Sequence, residues 1–346
     1  MRFRRALWIA LAALVSVGAI AYLASRAGAV SPIAESSRGA LEAIRSKPHV
    51  YFRSLRDHEF GQVVVAALDA PNEQRVVTAL SCDRVDFWRD RGLCLVDSKS
   101  HLHPLVFAQI IDRDFLAISS LVLPGVTSRT RVSGDERYAV ATVFVTGEQY
   151  DAEFTTRTTL VELSGGRVVA DLEKFQVTKD GRPFRERDFN FWGVTFAAAS
   201  EHFYATLATG GQTYLVEGDI GRREMRVLRE NAECPSLSPD EQQVVIKSRI
   251  PGDRIAWRLH VIDLKTGDEW PIAGEARSID DQAEWLDAGH VLYGALEERG
   301  LPGEAMNVWV ASTARDAADA PRIFIRGADS PAVVRPASAT ASAGKP

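Results

Sequence analysis

Seven residues stand where a chain of this kind could do chemistry: Arg129, Asp188, Asn190, Glu233, Asp280, Asp281 and Asp329. Each lies at or just ahead of a short β-branched or aromatic run. Carboxylates gathered round one cavity can serve as general acid and base. They can also supply oxygen ligands to Ca2+, or read the polar groups of a partner. Arg129 would be the internal counter-charge that crowded carboxylates need. The competing role is plainer, because Asp and Asn are ordinary turn formers. Which role holds depends on whether the fold brings these positions together.

Other candidate chemistry is thin. No Gly-x-Ser-x-Gly nucleophile turn occurs, and "LSGGR" reads as a hairpin turn. No phosphate loop or dinucleotide fingerprint is present. His101 and His103 in "SHLHP" form a pair without the further ligands a zinc site requires. Cys82 and Cys94 are candidates for a disulfide. If the intervening turn centres on Asp90-Arg91, Cys82 faces about residue 99, an offset of roughly 17 Å at strand rise, too far for a bridge. A wider turn near Trp88 would set them opposite, and both readings stand. Cys234 then reads as a buried single thiol.

The 346 residues are 46% hydrophobic and 25% charged, with a formal net charge of -5. Basic and acidic residues are interspersed, which argues against a nucleic-acid surface. "MRFRR" precedes nineteen uncharged residues, Ala6 to Ala24. That is long enough to cross about 30 Å of hydrocarbon, with the arginines kept in the cytoplasm. Residues 1–30 are therefore expected to be either a retained membrane anchor or a signal peptide cut after Ala29. Either way the rest is extracytoplasmic. Residues 31–47 read as a stalk, and the Ala/Ser/Pro-rich 336–346 as a disordered tail.

Between these ends the chain repeats. "ECPSLSPDEQQVVIKSR", "RTRVSGDERYAVATVFV" and "QAEWLDAGHVLYG" each read as strand, tight turn and strand. "DRVDFWRDRGLCLV" and "WGVTFAAASEHFYATL" are weaker copies. A third and a fourth strand follow each, as in "WRLHVIDL" and "EWPIAG", giving five four-stranded units at spacings near one propeller blade. Two fragments remain. "HVYFRS", "GQVVVAALD" and "RVVTAL" lack a first strand, and "DSPAVV" is a first strand lacking the rest. Joined, they complete a sixth blade, the closure a circular array needs to avoid open edges. The expected fold is all-β, a six-bladed β-propeller over 48–335. Trp192 and Trp285 are expected to pack between blades.

"CPSLSPDEQQVVIKSR" followed by "WRLHVIDLKTGDEWPI" resembles the TolB-like propeller repeat. "RDFNFWGVTF" and "DDQAEWLD" resemble a membrane-anchored or secreted single-propeller bacterial subgroup of it. Glu241, and Glu136 after Asp135, replace the usual glycine of the turn. The resemblance implies a non-catalytic scaffold at the cell envelope that binds a protein, peptide or glycan and has no cofactor. In a closed ring the seven residues would meet at the channel mouth, where a Ca2+ site is conceivable. The other reading is a propeller lyase or hydrolase acting on envelope glycan through those carboxylates.

Overall fold

The computed structural model describes residues 35–98, 100, 102–146, 154–198, 201–252, 256–297 and 306–335. The segment 1–30, His101 and the tail 336–346 lie outside the described residues. No described helix is long and apolar enough to cross a membrane.

Among the described residues twenty-six strands form six sheets ranged as blades. The first blade holds β1 (His49–Ser54), β2 (Gln62–Ala67) and β3 (Arg75–Ser81). The second is β4 (Arg84–Trp88), β5 (Arg91–Asp97), β6 (Leu105–Asp112) and β7 (Ala117–Pro124). The third is β8 (Val126–Val132), β9 (Tyr138–Thr146), β10 (Thr155–Glu162) and β11 (Arg167–Asp171). After β12 (Gln176–Lys179) and β13 (Arg182–Phe184), the fourth runs through β14 (Asn190–Phe196), β15 (His202–Thr209), β16 (Gln212–Asp219) and β17 (Glu224–Glu230). The fifth is β18 (Glu233–Leu237), β19 (Gln243–Arg249), β20 (Trp257–Asp263) and β21 (Glu269–Pro271). The sixth is β22 (Glu284–Asp287), β23 (His290–Leu296), β24 (Met306–Ser312) and β25 (Arg322–Ile325). The last strand, β26 (Ala328–Val334), pairs antiparallel with β1 and sets Tyr51 opposite Ala332 and Arg53 opposite Asp329. The two leftover fragments of the sequence thus close the ring as one blade.

Near-continuous apolar runs in the middle strands give each sheet two apolar faces, which pack against the neighbouring blades. On β6, Val106, Ala108 and Ile110 join β8, β9 and β10 in one core. Ile111 faces the first blade beside Tyr51, Val65 and Phe87. Innermost strands approach closely near the axis. A Cβ on Gly193 would fall 2.6 Å from the Cys234 Cα, and Gly193 has φ +61, so only glycine fits there.

Two features depart from the sequence reading, and a third decides between its alternatives. Residues 176–184 form a β12–β13 hairpin beyond the outer edge of the fourth blade, with β12 parallel to β17, making that sheet six-stranded. Residues 35–45, assigned above to the stalk, are a helix, α1 (Glu35–Arg45). Leu41 and Ile44 share one face and bury against Val63, Val65 and Leu80, while Arg45 lies over the Phe115 ring at 4.9 Å. Third, Cys82 and Cys94 are bonded, with Cα atoms 5.5 Å apart, although the turn is tight and pairs Val85 with Cys94. Cys82 lies outside the β4 ladder: its N–H donates to Gly61 of the first blade. The bridge therefore ties the end of β3 to β5 across two blades, and counting along one hairpin could not locate it.

The serine-aspartate turns behave alike. Ser133 and Ser238 each donate to the aspartate two residues on, at 2.7 and 2.6 Å, and accept a backbone N–H from Tyr138 and Gln243. Glu136 and Glu241, where the resembling repeat has glycine, keep the left-handed conformation, with φ 57 and 59. Each carboxylate reaches back to the preceding blade's inner hairpin. Glu136 accepts from Asp90 N and Arg91 N, and Glu241 from Ala198 N.

Candidate functional site: the central channel

The innermost strands send alternate residues into the channel, as the two-residue period of a strand requires. Arg84, Asp86 and Trp88 of β4 descend it in that order, and so do Arg129 and Arg131 of β8.

At the starts of these strands lies a charge-compensated network. The buried Glu233 accepts from Arg249 Nε at 2.8 Å and lies 4.0 Å from Lys247 Nζ. Lys247 also pairs with Asp280, and Arg129 donates to the Asp280 carbonyl at 3.2 Å. Asp281 accepts from Gly294 N at 2.8 Å. Asp329 receives Arg53 at 2.9 Å, with Arg84 at 3.9 Å. Burial works against the charge on Arg129, but Cys234, Asp281 and Asp280 hold its guanidinium protonated more firmly than usual. Burial raises Asp329 above the usual carboxylate range despite Arg53 and Arg84.

Five of the seven expected residues are therefore brought together: Arg129, Glu233, Asp280, Asp281 and Asp329. Asp188 and Asn190 are not. Asp188 is turned to its own blade's hairpin, accepting from Gly210 N at 2.7 Å and from the Thr209 hydroxyl. Those bonds hold its carboxyl below the usual range. Asn190 accepts from Thr156 N at 2.7 Å and so links the third and fourth blades. Both make local contacts of the kind turn-forming residues make. Trp285 takes its expected place, buried between blades with its indole N–H donating to Ser236 O at 2.9 Å.

Midway along the channel, three blades meet in a cluster absent from the sequence reading. Arg131 pairs with Glu284 and lies 4.0 Å from Asp86. Asp86 accepts from Val132 N at 2.6 Å. Burial, reinforced by Glu284 and opposed by Arg131, pushes the Asp86 carboxyl up to about 7. The signal was available: a charged residue inside "RVDFW" or "RTRV" breaks an otherwise apolar inner strand.

Beyond this cluster the channel opens into a recess of about 370 Å3 at the far ends of the innermost strands. Every blade contributes to its wall: Val333, Trp88, Gly134, Phe196, Leu237 and Trp285, in ring order. Asp86, Arg131 and Glu284 line it as well. The Trp88 indole nitrogen is buried without a partner. This recess lies at the end opposite to the mouth expected from the sequence. It is bordered by the serine-aspartate turns, while the expected mouth is filled by ion pairs. Among the described residues no group of three His, Cys, Asp or Glu side chains is arranged to hold a metal ion.

No family model matches the chain, and no curated protein does. Among solved structures, TolB from Acinetobacter baumannii aligns with a TM-score of 0.55 and 14% identity, over 84% of this chain and 67% of that one. A putative TolB from Agrobacterium tumefaciens gives 0.47 and 9%, over 82% and 91%. An oligogalacturonate lyase in complex with manganese gives 0.47 and 10%, over 72% and 71%. At such identities the likeness is one of fold, and that fold is the TolB-like six-bladed β-propeller.

Proposed function

We propose that the chain is an extracytoplasmic, non-catalytic propeller that binds a protein or peptide of the cell envelope in the 370 Å3 recess. The recess itself is the observation that carries this reading. It is concave, aromatic on its walls and charged within, and all six blades shape it. Trp88 sets its indole in the recess wall, a large apolar surface against which a peptide side chain can pack. The nineteen-residue apolar segment and the Cys82–Cys94 bridge support an oxidising compartment outside the cytoplasm. The reading assigns no cofactor.

One observation favours an enzyme instead. Asp86 titrates near neutrality within 4.0 Å of Arg131, which also holds Glu284, and all three line the recess. A carboxyl poised in this way can act as a general acid. The two readings separate in one experiment. Wild type, Trp88→Ala and Asp86→Asn are used to capture partners from envelope extract and are assayed for turnover of envelope glycan. Capture of one defined partner that is lost in Trp88→Ala and kept in Asp86→Asn supports binding. Glycan turnover abolished by Asp86→Asn would overturn the non-catalytic reading.

A further inference from the structure

A second, smaller void of about 40 Å3 lies in the channel between the ion-paired end and the recess. Arg84, Arg129, Arg131, Asp86, Asp281 and Gln282 line it. We propose that this void binds one small monovalent anion of halide size.

Three guanidinium groups border one space. In two of them, Arg129 and Arg131, the buried Nε–H has no hydrogen-bond partner. The other nitrogens of these two side chains are engaged: Arg129 donates to Ser128 O and Asp280 O, and Arg131 to Glu284 and Ala283 O. A buried donor left unpaired costs stability, and more so on a charged group. The two carboxylates of the lining do not meet these donors: Asp281 accepts from Gly294 N and Asp86 from Val132 N, each through one oxygen. Arg84 and Arg129 also repel one another, and this adds to burial in lowering the Arg84 pKa. An acceptor carrying negative charge relieves both the unpaired donors and the repulsion. A halide accepts from several directions at once, which suits two unpaired donors on β8 with the Arg84 guanidinium of β4 beside them. The void exceeds the about 10–15 Å3 that one water needs. This inference is independent of what occupies the recess, so either may fail without the other.

The test uses the full chain. Crystals soaked in bromide are measured at the bromine absorption edge, and an anomalous peak is expected in the void beside Arg129 and Arg131. In solution, gluconate is replaced by chloride at constant ionic strength. The Tm should rise by about 2–5 °C and saturate, and Arg129→Leu should abolish the rise. A void holding only water, bromide peaks confined to the surface, or a Tm indifferent to chloride would each overturn the proposal. If Arg129→Leu does not fold, the bromide peak in the wild-type crystal decides.

Discussion

Replacing Asp86 by Asn should make the protein more tolerant of alkaline conditions. Asp86 is 7% exposed, and its carboxyl is raised by burial from 3.8 to about 7. Between those values the folded protein holds a proton that the unfolded chain has released. The stability contributed by the protonated form is therefore complete below pH 3.8 and is lost as the pH rises through about 7. The span is about 3 pH units, so at about 1.4 kcal/mol per unit the loss is at most about 4 kcal/mol. Arg131 stays paired with Glu284 when Asp86 is changed, and an Asn side-chain oxygen can still accept from Val132 N. From pH 5 to pH 8, wild type should lose about 2–3 kcal/mol relative to Asp86→Asn. That is a Tm difference widening by roughly 4–6 °C, taking about 2 °C per kcal/mol for a chain of this size. Glu173, also raised to about 7 by burial, titrates in both proteins and cancels in the comparison. Calorimetry at half-unit pH steps reads the difference directly. Parallel Tm curves would show that Asp86 is ionised throughout, and the account of its burial would be wrong.

Three further outcomes follow from the fold. Cys82→Ser with Cys94→Ser should lower stability by about 3 kcal/mol in urea unfolding, because the bridge closes a loop with a sequence separation of 12; an unchanged midpoint would mean the bond is not formed. Glu241→Ala should cost about 1–2 kcal/mol by removing the acceptor for Ala198 N while keeping φ 59, whereas Glu241→Gly relieves the left-handed backbone and should lie within about 1 kcal/mol of wild type; equal losses would discount the backbone strain. Deleting 327–346 should abolish cooperative thermal unfolding, since it removes β26, and deleting 337–346 should leave the Tm unchanged; a folded longer deletion would refute ring closure by that strand.

The blade order was legible because repetition is a long-range signal. Four strands per unit left two incomplete ends, and only a closed ring explains why they are complementary. The β12–β13 hairpin carried its own signal, alternation around Asp180-Gly181, both with positive φ. The blades beside it are complete without it, so the repeat gives it no place. Positions at the starts of innermost strands could be grouped from the repeat, but not their partners. Arg53, Arg84 and Lys247 come from other strands and blades, and their pairing with Asp329, Glu233 and Asp280 depends on which face each strand turns to the axis. Asp188 shows the limit: its place in the repeat is right, yet a free backbone N–H at Gly210 captures it. Asp86, Arg131 and Glu284 needed a different question, why buried inner strands carry charge at all.

Closure by the final strand also sets a clock. Arg53 and Asp329, partners across the closing pair, are 276 residues apart. At a synthesis rate of about 5–20 residues per second, β1 waits roughly 15–55 s for its neighbour. Through that interval Val50, Tyr51 and Phe52, all fully buried in the finished ring, have no inner partner strand. Hairpins form in microseconds, so every other blade can assemble as it emerges while the first stays open on one side. A circular permutant of residues 35–335 that begins at Gly327 would carry β26 ahead of β1. It should form its first blade within the first seconds of synthesis and leave the least time for that edge to pair with another chain.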